Sequence, residues 1–161
     1  MTRDVAFGLV RAWAEHVRTS LDDLVMKPDG SFHGQVGSVA FEYEASKSLL
    51  MARGYVTDDG QLIVKVPGEW QRLERLAERE KESVAGATFE LEPEGADPEA
   101  ARVVHLRLDF SIAMSRGEFV DRVQDLADAS TYWDSIRLLE VSTTPDSVLE
   151  RQWEARRKRG P

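Results

Sequence analysis

Hydrophobic and polar positions alternate strictly from Val104 to Ile112, in the stretch that begins at Arg102. Every second residue is apolar, namely Val104, Leu106, Leu108, Phe110 and Ile112. Polar or charged residues from His105 to Ser111 occupy the positions between them. Because successive side chains of a strand point to opposite faces, the pattern predicts a strand with one buried face and one solvent-exposed face. The capping box Ser115-Arg-Gly-Glu118 follows, and it predicts a helix that buries an apolar stripe: Phe119, Val123, Leu126 and Trp133.

The residues before this stretch predict one helix and then three strands. Apolar residues at helical spacing predict a first helix over residues 4–26, ended by Lys27-Pro-Asp-Gly30. Alternating patterns then predict strands over residues 39–44, 49–56 and 61–66. Asp58-Asp-Gly60 has the composition of a hairpin turn, which predicts an antiparallel meander.

A mixed-charge helix opens at Pro67 and carries only a narrow apolar stripe, formed by Trp70, Leu73, Leu76 and Ala77. Gly86 ends this helix, and Phe89 and Leu91 indicate a short fourth strand. After the helix that begins near Glu118, the segment Ile136–Val141 fits either a continuing helix or a strand. We predict helix to about Leu139.

The predicted class is therefore α+β, with the order α-β-β-β-α-β-β-α and helices on one face of an antiparallel sheet. Residues 1–142 are predicted to form one domain. Thr144 and Pro145 have the character of an N-cap and a first helical position, so residues 143–161 are predicted to add a C-terminal helix and a basic tail.

Charge is distributed unevenly along the chain. Five basic residues stand against Glu150 and Glu154 in the last twelve positions, a local balance of +3, whereas the whole chain carries −8. The remaining body therefore carries −11, which disfavours nucleic acid and anionic membranes as partners. The chain has no cysteine and no apolar run long enough to span a membrane, so we expect a cytoplasmic protein.

No motif of the sequence predicts a catalytic, cofactor or metal site. None of His16, His33 and His105 shares the spacing of a helical metal pair. Gly34-Gln-Val-Gly37 precedes a strand instead of opening a helix, so we interpret it as a bend or bulge and not a phosphate loop. The row of carboxylates at Asp121, Asp125 and Asp128 is typical of a solvated helix face. We therefore expect no enzyme activity and no cofactor.

Over roughly residues 4–140, the chain resembles the small type III secretion chaperones and the YbjN-like proteins. The resemblance lies in the order of elements, the size, the acidity and the helix Glu118–Leu139 with its Tyr132-Trp133. The resemblance implies a non-enzymatic homodimer that holds an extended segment of another protein on apolar patches. By element, it implies a dimer interface at Trp70, Leu73 and Leu76. It also implies partner contacts at exposed apolar residues of the sheet, such as Leu50 and Val56.

Three hypotheses of function follow from the sequence. The first is a chaperone-like or adaptor module that binds a partner protein through exposed apolar surface. The second is an immunity-type inhibitor of a basic toxin, because the body of the chain is acidic. The third is a metal-assisted hydrolase in which His105, Asp109 and a distant carboxylate converge on the solvent-exposed face of the sheet.

Overall fold

The computed structural model describes residues 1–55, 62–64, 75, 78, 85–93 and 102–137. It confirms the α+β class, with helices packed on an antiparallel sheet. The elements, in chain order, are α1 (Arg3–Val17), β1 (Val25–Met26), β2 (Phe32–Val36), β3 (Val39–Glu44), a 3-10 turn (Ala45–Lys47), β4 (Leu49–Tyr55), β5 (Leu62–Val64), β6 (Thr88–Pro93), β7 (Arg102–Phe110) and α2 (Arg116–Arg137).

The four strands β1, β2, β3 and β4 form an antiparallel meander, and β7 then pairs with β4. β6 lies on the opposite edge of β7, with Glu90 opposite His105. β7 therefore lies between β4 and β6, and it brings polar residues of these two neighbours beside its own.

The prediction of a hairpin between residues 49–56 and 61–66 is wrong. β4 and β5 both run antiparallel to β7, with Tyr55 opposite His105 and Leu62 opposite Val104. Since β6 occupies the other edge of β7 along this stretch, β4 and β5 lie end to end on one edge. β5 thus runs in the same direction as β4 and pairs with the same edge of β7. The register with β7, and not the composition of the Asp-Gly turn, decides which strand β5 pairs with.

The first helix is shorter than its apolar periodicity predicts. It ends at Val17 because Arg18 adopts a left-handed conformation, with φ of 55°, and the backbone N–H of Thr19 donates to the carbonyl of Ala14. Leu21 and Leu24 nevertheless pack against the core from the irregular segment that follows. Apolar residues of this segment therefore keep helical spacing although the helix has already ended.

A strand that the sequence did not predict, β2, runs through Gly34. A Cβ at Gly34 would lie 2.4 Å from the backbone oxygen of Asp23, so only glycine lets the Asp23–Leu24 segment cross this strand. Gly37, with φ of 65°, forms the two-residue turn from β2 to β3. The Gly34–Gly37 stretch is thus a strand and its turn, and the interpretation as a simple bend is wrong.

Both described helices pack on the same face of the sheet. Phe119 of α2 stacks between the sheet residues Phe41 and Phe110, with ring centroids 6.1 and 4.8 Å away. The α2 residues Val123 and Leu126 are fully buried, as the alternation and the capping box predict. The side-chain hydroxyl of Ser115 accepts a hydrogen bond from the backbone N–H of Glu118 at 3.2 Å, which confirms this residue as the N-cap of α2.

Several predictions fall on residues outside the described ranges. They include most of the helix predicted from Pro67, the loop after Pro93 and the C-terminal helix and tail at 143–161. Arg75 and Glu78 are described, and both are helical. α2 continues to Arg137, which resolves the first two positions of Ile136–Val141 as helix. Among the described helices, none is long and apolar enough to cross a membrane.

Candidate functional site

The sheet residue predicted to contact a partner does not offer exposed surface. Leu50 is fully buried, because it points toward α1 and α2 beside Phe110, which is its neighbour across the β4–β7 ladder. The prediction that Leu50 forms exposed apolar surface is therefore wrong. Val56 and the predicted dimer residues Trp70, Leu73 and Leu76 lie outside the described residues, so these assignments stay predictions.

The face of the sheet that points away from α1 and α2 carries charged residues on its central strands. Arg53 of β4 lies opposite Arg107 of β7, and Glu90 of β6 lies opposite His105 of β7. The side chain of His105 is fully buried on this face, contrary to the prediction of a solvent-exposed position. Burial of an imidazole favours a hydrogen-bonded role over contact with solvent.

Glu90 is the centre of this polar cluster. Its Oε2 lies 2.5 Å from Nε2 of His105 and 3.2 Å from Nε of Arg53, and its Oε1 accepts a hydrogen bond from Nη1 of Arg107. Because an ionised carboxylate only accepts, Nε2 is the nitrogen of His105 that donates. Arg107 also donates two parallel hydrogen bonds, of 2.6 and 3.1 Å, to the carboxylate of Asp109.

The contacts of Glu90 keep it ionised well into the acid range. Partial burial raises the pKa of this carboxyl, but hydrogen bonds from His105, Arg107 and Arg53 outweigh burial and lower the pKa from 4.5 to about 2. On the arginine side, the hydrogen bond to Asp109 and the contact with Glu90 raise the pKa of Arg107, against the opposing effect of its burial. The cluster is thus a charge-paired clamp that joins β4, β7 and β6.

This arrangement does not favour hydrolysis assisted by a metal. His105 and a carboxylate distant in the sequence, Glu90, do converge, as the third hypothesis expects. The oxygens of Glu90, however, are engaged by two guanidinium groups and an imidazole, and Asp109 is engaged by Arg107. A metal would have to displace these donors from both carboxylates. Within the described ranges, no group of three or more metal-ligating side chains is present.

β1 lies at one edge of the sheet, and among the described residues it exposes apolar side chains beside that edge. Val25 is 53% exposed and Met26 is 41% exposed. β1 is the terminal strand of the sheet in the part of the chain that the structure describes, and it pairs on one side with β2. The strand therefore exposes one apolar side chain on each face of the sheet, beside an outer edge with main-chain hydrogen-bonding groups.

The register of the hairpin fixes which main-chain groups point outward. The two-residue turn makes Val36 and Val39 a hydrogen-bonded pair, so the alternation along β2 directs Phe32 toward β3 and His33 toward β1. Val25, opposite His33, is then bonded to β2, and the N–H and C=O of Met26 point away from the sheet. The hydrogen bond of 2.8 Å from the N–H of Lys27 to the carbonyl of Ser31 fits the same alternation.

The outward edge of β1 is short. The N–H of Leu24 already donates to the carbonyl of Leu21 at 3.0 Å, and Pro28 has no N–H. Met26 is therefore the residue of this edge that offers both a donor and an acceptor. A short edge bounded by proline resists indiscriminate strand pairing, which is how many proteins protect their terminal strands.

Acidic residues flank the exposed apolar pair. Asp22 and Asp23 precede β1 and Asp29 follows it, and all three are exposed. Lys27 is the cation between them, so the stretch from Asp22 to Asp29 carries a net charge of −2. Asp29 also accepts a hydrogen bond of 2.8 Å from the N–H of Ser31, which lowers the pKa of its carboxyl and keeps it ionised.

Sequence reasoning assigned Val25 to the first helix and so missed this edge. Lys27-Pro-Asp-Gly30, interpreted as a helix stop, is in fact the turn that joins β1 to β2. The signal available was Asp-Gly between the apolar residues Val25 and Met26 on one side and Phe32 on the other, which is typical of a hairpin.

Comparison of the chain with protein-family models, with curated proteins and with solved structures gives no match.

Proposed function

We propose that the protein is a non-enzymatic binding module, chaperone-like or adaptor in type, which holds another protein through exposed apolar surface. The observation that carries the proposal is the edge strand β1, where Val25 and Met26 are 53% and 41% exposed beside the outward N–H and C=O of Met26. An extended segment of a partner can add to such an edge, with main-chain hydrogen bonds giving affinity and side-chain contacts giving specificity.

The polar face of the sheet supports a binding role over an enzymatic one. Glu90, the most strongly acidified carboxyl of that face, is saturated by His105, Arg53 and Arg107. A general acid or base needs a pKa near the working pH and access to a substrate, whereas this carboxyl has a pKa of about 2. The cluster therefore serves to hold strands together while the edge does the binding.

The proposal includes a homodimer in the cytoplasm. Its interface is proposed at Trp70, Leu73 and Leu76, on the helix predicted from Pro67, and so at a different element from β1.

A second candidate function is an immunity-type inhibitor of a basic toxin. The acidic flanks of β1, with Asp22, Asp23 and Asp29 exposed, favour it over other inhibitor types.

Selection from a displayed library of random extended peptides tests the proposal. We expect selection on the wild-type protein to enrich peptides that bind it. The affinity of these peptides for the double variant Val25→Ser/Met26→Ser should be lower by roughly tenfold or more, because two exposed apolar contacts are lost. Ile112→Ser is the matched control, since Ile112 is 74% exposed and lies beyond β7.

The control variant should bind the selected peptides as the wild type does. A library that yields no binder, or binders that the Ile112→Ser variant weakens as much as the double variant does, would contradict binding at β1. Amide shifts confined to β1 and β2 on addition of a selected peptide would locate the contact directly.

A further inference from the structure

The charge around β1 restricts which partner its edge can accept. Each exposed apolar residue of the strand lies within a few positions of a carboxylate, with Asp22 and Asp23 on one side and Asp29 on the other. Asp22 and Asp23 lie in the turn that leads into β1, and Asp29 lies in the turn that leads out of it, so a segment paired with Met26 has a carboxylate beyond each end of the strand. The ends of a bound segment therefore stand in a negative field.

In the part of the chain that the structure describes, the cations placed near β1 do not neutralise this field. Lys27 lies within the strand's own turn, and Arg3 approaches the same turn near Gly30. Arg3, however, lies 3.7 Å from Asp4, which offsets its charge. The surroundings of the edge thus remain net negative.

A second copy of the chain fits this edge poorly. If two copies of β1 paired antiparallel about Met26, the acidic stretch from Asp22 to Asp29 of one copy, with its net charge of −2, would lie near the same stretch of the other. Repulsion between two stretches of like charge is destabilising. The overall charge of −8 adds to the repulsion between copies.

We propose that the β1 edge takes an extended segment of a different protein, apolar at consecutive positions around its centre and carrying Lys or Arg toward both ends. This inference rests on the proposed function and specifies the chemistry of the partner. The apolar positions cover Val25 and Met26, the main chain bonds to Met26, and the basic ends meet Asp22, Asp23 and Asp29.

The test uses three fluorescein-labelled peptides of about ten residues, long enough to span the edge and its flanks. All have valine at consecutive central positions, and they differ only in two end positions, which are lysine, threonine or glutamate. Fluorescence anisotropy gives their dissociation constants for the full chain. The protein variants are Asp22→Asn/Asp23→Asn and the matched control Asp121→Asn/Asp125→Asn, which removes the same charge from exposed positions on α2.

We expect the lysine peptide to bind most tightly and the glutamate peptide least tightly. The Asp22→Asn/Asp23→Asn variant should weaken the lysine peptide by about two- to tenfold, and the control variant by less than about twofold, because exposed charge pairs act mainly at short range. Raising the ionic strength should reduce the difference between the peptides.

The possible outcomes separate the inference from the function on which it rests. Equal binding of the three peptides, each still weakened by Val25→Ser/Met26→Ser, would overturn the basic partner and leave binding at β1 intact. If Asp22→Asn/Asp23→Asn and Asp121→Asn/Asp125→Asn weakened the lysine peptide equally, the basic partner would be overturned as well, since only the net charge of the protein would then matter. No binding by any peptide would overturn both. A dimer that Val25→Ser/Met26→Ser dissociates would replace the foreign partner with a second copy.

Discussion

The indole Nε1 of Trp13 donates a hydrogen bond to the backbone carbonyl of Val36 at 2.9 Å, deep in the core. The bond joins the last turns of α1 to the end of β2, just before the turn at Gly37. Val17 of the same helix approaches Gly37 so closely that a Cβ there would lie 3.3 Å from its Cγ2. One helix face thus fixes the position of the hairpin that supports β1.

Trp13→Phe should lower the free energy of unfolding by about 1 to 3 kcal/mol, from the lost hydrogen bond and the smaller side chain. Trp13 is 1% exposed, so the remaining ring cannot recover the lost contacts from solvent. Equilibrium denaturation followed by circular dichroism measures the change. An unfolding free energy equal to that of the wild type would show that the bond adds nothing to stability.

Gly54 of β4 and Ser130 of α2 lie in close contact. A Cβ on Gly54 would lie 2.0 Å from Oγ of Ser130, whose hydroxyl donates to the carbonyl of Leu126 at 2.9 Å. Gly54→Ala should therefore destabilise the protein by about 2 to 3 kcal/mol through overpacking. In a double-mutant cycle, Ser130→Ala should recover part of this loss, because it removes the clashing atom.

The single variant Ser130→Ala serves as the control in that cycle and should cost far less than Gly54→Ala. Strictly additive effects of the two substitutions would contradict the contact as described.

Gly34→Ala should displace β1. The nearest atoms to a Cβ at Gly34 belong to the backbone of Asp23 and Leu24, so no change of rotamer relieves the clash. We expect a loss of about 3 kcal/mol or more in stability, and loss of hydrogen-exchange protection at the amide of Val25. Binding of peptides to the β1 edge should fall with it.

Gly8→Ala is the matched control for that substitution. Gly8 lies within α1 and a Cβ there meets nothing within 4 Å, so alanine should stabilise the helix by up to about 1 kcal/mol. If Gly34→Ala behaved in the same way, the close crossing of the Asp23–Leu24 segment would be refuted.

The ionised Glu90 should make stability depend on acid pH. Its pKa is about 2 in the folded protein and 4.5 ordinarily, so its contribution is complete above about pH 5 and is lost as the pH falls toward 2. Glu90→Gln should remove roughly 1 to 2 kcal/mol of this pH dependence, less than the full shift implies, because the side chain is partly solvated. Urea denaturation at intervals from pH 7 to pH 2.5 measures the effect.

Glu15→Gln is the comparison for this titration, since Glu15 is exposed on α1. Its stability curve should parallel that of the wild type. Parallel curves for Glu90→Gln and the wild type would rule out a stabilising role for the clamp.

Patterning predicted the elements whose apolar residues lie on one face. β7 and α2 follow the predicted alternation and capping, and their residues Leu106, Leu108 and Phe119 lie in the core. The α+β class follows from these elements together with α1. Local pattern suffices where a single element decides which face is buried.

Tertiary contacts decided what the sequence did not predict. Leu21 and Leu24 keep helical spacing outside a helix, because the core accepts side chains from an irregular segment as well. His105 sits at a polar position of an alternating strand, yet its neighbours bury it completely. Glu90, fifteen positions earlier in the chain, becomes its partner only through the β6–β7 register, which spacing cannot reveal.

The position of β7 between β4 and β6 has a consequence during synthesis on the ribosome. β1 to β4 emerge first and can form their meander locally, but the edge of β4 that will hold β7 has no strand to pair with until Phe110 has been made. Pairings between distant parts of a chain are slow to form and leave strand edges open to aggregation. We therefore expect truncated products that end before β7 to be the species of this protein most prone to aggregate and most in need of cellular chaperones.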